Sequence, residues 1–71
     1  MIYRRRIAQN VKYYRDAQHI PIKELCEKAK ISRGTYYDII NEERDVTVET
    51  LGKIAKVLNV KVEELLWKII N

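Results

Sequence analysis

Apolar residues return at helical spacing along almost the whole chain, and the polar stretches between them mark off five segments. Ile7, Val11 and Tyr14, spaced 4 and 3 apart with Ala17 extending the line, form the stripe of a first helix over about residues 2–18. Leu25, Cys26 and Ala29 mark a second over 21–29, opened by Pro21, which a first helical position tolerates. Ser32 is a good N-cap for a third over 32–42, whose inward residues are Tyr36, Ile39 and Ile40. Thr47 caps a fourth over 47–58, with Glu49 well placed in its first turn. Its stripe of Val48, Leu51, Ile54, Ala55 and Leu58 advances in steps of 3, 3, 1 and 3, and Asn59 suits a left-handed terminator. A fifth, over 62–70, carries Glu63 and Glu64 in its first turn and Leu65, Leu66, Ile69 and Ile70 as apolar residues. No alternating pattern of strand quality and no repeat interrupts this order. The chain reads as a single all-α domain over residues 1–71.

Residues 21–41 are the part around which the rest is arranged. Two short helices joined through Lys30-Ile31-Ser32 have the outline of a helix-turn-helix, whose second helix can lie in the DNA major groove. At about 100° per residue, Arg33, Gly34, Tyr37, Asp38 and Asn41 fall on the arc opposite Tyr36, Ile39 and Ile40. Arg33, Tyr37, Asn41 and, one turn on, Arg44 make an exposed row spaced 4, 4 and 3. A fork donor, a phenol and an amide are groups suited to base edges and phosphates. A cation at a helix start opposes the macrodipole, so Arg33 is better motivated by a ligand than by its own helix.

Composition narrows the class. Seventy-one residues make one small domain, and 46% hydrophobic with 34% charged residues is a globular balance, not a disordered one. No apolar run approaches the roughly 18 residues that cross a bilayer. Arg4-Arg5-Arg6 leads into a mixed polar segment and not a signal sequence, so a cytoplasmic protein without membrane contact is expected. A net charge of +4 favours a polyanionic partner, and its placement matters more than its sum. Arg4, Arg5 and Arg6 are a candidate phosphate-contacting arm or a solvated first turn. Glu42, Glu43 and Asp45 set three carboxylates beside Arg44, where repulsion from phosphate would weaken nonspecific binding.

Cys26, the one cysteine, allows no internal disulfide and falls on an inward face as a small hydrophobe. His19 reads as a surface residue of a connector. No nucleophile–base set, Gly-rich phosphate loop or metal-ligand spacing is present, so neither an enzyme nor a cofactor or metal site is expected. Tyr3 and Tyr13 are read as partly buried residues of the first helix. Trp67, Ile69 and Ile70 form an apolar cluster that serves either as a dimer interface or, through Trp67, to close the core against the first helix.

In register, these segments resemble the phage repressor and Cro family, the XRE-type helix-turn-helix regulators, over about residues 7–66. The resemblance runs through Leu25-Cys26, Ile31-Ser32-Arg33, Thr35, Tyr36 and Ile39, then Val48 to Val60, and closes on Glu63-Glu64-Leu65-Leu66. It implies a compact five-helix lambda-repressor-like domain. It also implies sequence-specific binding of double-stranded DNA, a homodimer on a pseudo-palindromic operator, and transcriptional control in the repressor sense. Carried over by position, base contacts fall on Arg33, Gly34, Tyr37 and Asp38, and phosphate contacts on Ile22, Lys23, Ser32, Asn41 and Arg44. No small-molecule effector is expected. Ile22 stands where relatives often have Gln, leaving backbone N–H groups and Lys23 to hold a phosphate. Lys30 stands where Gly is usual, at a cost of roughly 1 kcal/mol for positive φ, which predicts a slightly reshaped turn. Gly34 offers no side chain to a base, and Ile40 replaces a Glu that would pair with Arg15. Ile22, Gly34 and the acidic loop of Glu42, Glu43 and Asp45 motivate a second reading, a helix-turn-helix module that binds a protein as antirepressors or antitoxin-like regulators do.

Overall fold

Helix α1, Arg4–Ala17, turns Ile7, Ala8, Asn10, Val11 and Tyr14 inward. It packs against both the third and the last helix. Helix α2, Ile22–Ala29, buries Leu25, Cys26 and Ala29, and α3, Arg33–Ile40, buries Tyr36 and Ile39. Helix α4, Val48–Leu58, buries Leu51, Ile54, Ala55 and Leu58, and α5, Val62–Trp67, buries Leu65. These are the helices of a computed structural model that describes residues 3–67. The described residues form five helices and no strand, the all-α arrangement expected. The expected helix ends at residues 2 and 70, and Ile69 and Ile70, lie outside the described residues.

The starts of α3 and α4 use the same device. Ser32 Oγ accepts from the Thr35 backbone N–H at 3.0 Å, and Thr47 Oγ1 accepts from that of Thr50 at 3.1 Å. Each cap is preceded by an apolar residue, Ile31 or Val46, that joins the same core as the residue five further on, Tyr36 or Leu51. Such a staple fixes the angle at which the chain enters a helix. It also explains a correction. Val48, read as the first member of the α4 stripe, is 80% exposed, and Val46 takes the core position just before the cap. Ala17, read as extending the α1 stripe, and Tyr13, read as partly buried, are likewise exposed. Pro21 is the N-cap of α2, one residue before the helix proper.

Four helices end identically. In α1 the N–H groups of His19 and Ile20 donate to the carbonyls of Asp16 and Arg15. Lys30 and Ile31 do the same to Glu27 and Cys26, Glu42 and Glu43 to Ile39 and Asp38, and Asn59 and Val60 to Lys56 and Ala55. This is the paired closure that satisfies orphan carbonyls and needs a left-handed residue. His19, Lys30, Glu42 and Asn59 supply it with φ of 55°, 57°, 60° and 57°. Lys30 therefore adopts the full left-handed geometry, and the turn into α3 is not reshaped.

Long polar contacts tie the helices together. Asn10 Nδ2 donates to the Leu65 carbonyl at 2.8 Å, and Gln18 Nε2 to that of Leu58 at 2.6 Å. The Tyr14 hydroxyl donates to Glu64 at 3.0 Å. Arg15 Nε donates to the Tyr36 hydroxyl and its Nη1 to the Ile20 carbonyl, both at 3.0 Å. Arg15 thus holds α3 and the α1–α2 connector from one side chain, and Ile40 packs on the core. Burial raises the Tyr36 phenol above its ordinary range, the Arg15 contact opposing it more weakly, so the hydroxyl stays protonated at neutral pH.

Candidate nucleic-acid interface

With Tyr36 and Ile39 fixed in the core, α3 has one orientation available, and its opposite arc faces outward. Arg33, Gly34, Tyr37 and Asn41 are exposed, and Asp38 is half-buried. Tyr37 stands 46% exposed, its ring edge-on to Tyr36 with centroids 5.5 Å apart. That contact limits the ring's freedom while the residue stays exposed, which suits an amphipathic contact surface. Arg33 lies close enough to Cys26 to oppose, as the smaller effect, the rise that burial imposes on that thiol. Cys26 is buried and remains a neutral core residue.

The row bends at its far end. Asn41 is the C-cap of α3 and Glu42 turns the chain through positive φ, so Arg44 lies in the loop before α4. Arg44 lines a shallow hollow of about 160 Å³ with Thr35, Asp45 and Thr47. Its Nε is 3.8 Å from Asp38 Oδ2, so two residues assigned separate contacts are electrostatic partners.

The start of α2 offers a different kind of donor. Pro21 provides no side-chain cap, and the first helical hydrogen bond runs from Leu25 N–H to the Pro21 carbonyl. The N–H groups of Ile22 and Lys23 therefore lie in an uncapped first turn, which favours an anion. The Ile22 side chain packs on the core and Lys23 is exposed. Glu24, the acid of that turn, is drawn back to Lys28 at 3.1 Å.

The acidic loop beyond α3 is not the bare cluster that its spacing indicated. Arg4 Nε donates to Asp45 Oδ1 at 2.6 Å, and Arg5 Nε lies 3.7 Å from Glu42 Oε1. That hydrogen bond holds the Asp45 carboxyl below its ordinary range. Arg4, Arg5 and Arg6 are the first three residues of α1, and two of them neutralise the loop that carries Arg44. Sequence spacing could not show this, since the partners lie about 40 positions apart; only the complementary charge of the two runs pointed to it. Trp67 sits at the end of α5, 53% exposed, edge-on to Tyr3 with centroids 4.9 Å apart. It touches the start of α1 and still presents half of its surface.

Among the described residues no group of three or more His, Cys, Asp or Glu side chains is placed to hold a metal ion, and no helix is long and apolar enough to cross a membrane.

Comparison with known proteins gives the same outline. The helix-turn-helix family model matches residues 11–65. That span holds every residue from Ile22 to Arg44 discussed above and omits Arg4–Arg6 and Trp67. The chain is also similar to Control protein C.SmaI of Serratia marcescens, 35% identical over 62 residues that cover 87% of this chain and 74% of that protein. No solved structure matches at a significant level.

Proposed function

The chain belongs to the helix-turn-helix family and is a DNA-binding transcriptional regulator, and from that premise we propose how it reads its site. Helix α3 enters the major groove of double-stranded DNA with Arg33, Gly34, Tyr37 and Asp38 toward the base edges. Arg33 makes a forked contact to guanine, and Tyr37 contacts a base through its hydroxyl or a thymine methyl through its ring. The uncapped turn at Ile22 and Lys23, the Ser32 cap, Asn41 and Arg44 hold phosphates on either side and set the register. The observation that carries this reading is the exposed row Arg33, Tyr37, Asn41 on a helix whose other face is locked into the core.

Two copies bind together, so that each α3 reads one half of a pseudo-palindromic operator. Trp67, half exposed at the end of α5, is the proposed centre of the contact between them, with Ile69 and Ile70 beyond it. Its similarity to a protein named as a control protein supports a role in transcriptional control, here in the repressor sense, by occupying the operator. The protein acts in the cytoplasm, without catalysis or a small-molecule effector.

The test is a salt series on a pool of random duplexes. Neutralising several phosphates makes log affinity fall linearly with log salt, at about −0.9 per phosphate contact. A steep decline with rising salt is expected. No measurable affinity even at low salt would contradict the reading and favour the protein-binding module.

A further inference from the structure

We propose that Asp38 is an internal competitor of DNA phosphate, which holds Arg44 until a cognate base engages its carboxylate, and so sets how well α3 discriminates between sites. The inference rests on the major-groove reading and adds a residue whose effect on affinity and on specificity has opposite signs. Its basis is the arrangement of charge around Arg44. Of the three carboxylates nearest to Arg44 in sequence, Glu42 and Asp45 are drawn toward Arg5 and Arg4 on α1, and Glu43 is exposed. The carboxylate that faces Arg44 comes instead from α3, on the reading arc beside Tyr37. The Glu43 N–H donates to the Asp38 carbonyl at 2.9 Å, so the backbone leading to Arg44 is tied to the same residue. Both side chains remain accessible, at 41% and 52% exposure, so a duplex can reach either.

Two outcomes follow when DNA arrives. On a random duplex, Arg44 either stays with Asp38, already neutralised and releasing no counterion, or moves to a phosphate and leaves a carboxylate facing the DNA without a donor. Both weaken binding. Where a cytosine amino group lies within reach, Asp38 gains a donor in the groove and Arg44 is released to the phosphate. The carboxylate then opposes binding everywhere except at a site with the right base.

The experiment compares wild type, Asp38→Asn, Arg44→Ala and the double variant on a random duplex and on a duplex selected by the wild type, across a salt series. Asp38→Asn keeps the shape of the side chain and removes its charge. On random duplex its affinity is expected to rise about two- to fivefold, the range of an exposed ion pair. Its log–log salt slope should steepen by about one contact, because Arg44 now counts fully. On the selected duplex the affinity should not rise and the slope should stay put, so the ratio between the two falls. In the Arg44→Ala background, Asp38→Asn should no longer change the slope. Equal effects of Asp38→Asn on both duplexes, or unmoved slopes on both, would overturn the proposal while wild-type binding leaves the groove reading intact. A wild type with no salt-dependent affinity would remove both.

Discussion

Gly34 is the second residue of α3, exposed, and a Cβ built there would meet only Ser32 Oγ at an ordinary 3.7 Å. The fold therefore does not require glycine at this position, and a helix interior disfavours it by roughly 0.5–1 kcal/mol against alanine. At this first-turn position Gly34→Ala should raise stability by a fraction of that amount in a thermal melt. If the α3 backbone lies against the bases at this point, the same methyl should lower affinity for a selected duplex severalfold. Higher stability with unchanged affinity would show that the backbone keeps its distance there. Other single residues show what a sequence does and does not reveal. The outward positions of Arg33 and Tyr37 were legible from angular spacing, because Tyr36 and Ile39 fix the opposite face. The exposure of Val48 was not, since its spacing matches the α4 stripe and only the neighbouring elements decide whether a first turn is covered. The partners of Arg15 were equally hidden: a hydroxyl 21 positions away and a carbonyl carry no periodic signal.

At the scale of elements, helix starts and stripes were the most readable features, because caps and apolar spacing act locally. Ser32, Thr47 and Asn59 each do what their chemistry indicated. Helix ends were harder, since His19, Lys30 and Glu42 hold a conformation that their side chains do not favour. Tertiary packing imposes it: Ile20 and Ile31, which follow two of these residues, pack on the core and oblige the chain to turn there. Replacing such a residue with glycine relieves steric strain and frees the unfolded chain, two opposing terms. For Lys30→Gly relief of roughly 1 kcal/mol of strain should outweigh an unfolded-chain cost of about 0.4–1 kcal/mol, giving a gain of up to about 0.6 kcal/mol and a Tm higher by up to roughly 2–5 °C for a domain of this size. Asn59→Gly should change less, since Asn tolerates the left-handed region. A lower Tm for Lys30→Gly would show that the lysine side chain contributes more than the strain removes.

Over the whole molecule, net charge proved less informative than its pairing. A formal +4 with an arginine triplet at one end reads as a basic arm or a solvated first turn, with an acidic loop elsewhere; folded, Arg4 and Arg5 lie against Asp45 and Glu42. The surface we propose for DNA is compact: the uncapped start of α2, the outward arc of α3 and Arg44, mounted on a core that joins all five helices. Two such surfaces related by a two-fold axis would meet half-sites about one helical turn apart. Selection of bound duplexes from a random pool, with wild type and Arg33→Ala in parallel, tests this most directly. The account predicts that the wild type enriches two inverted half-sites centred about 10 base pairs, or a multiple, apart. Arg33→Ala should retain the spacing but lose the preference for guanine at one position in each half-site. A pool that stays random, or the same base preferences from both proteins, would contradict it.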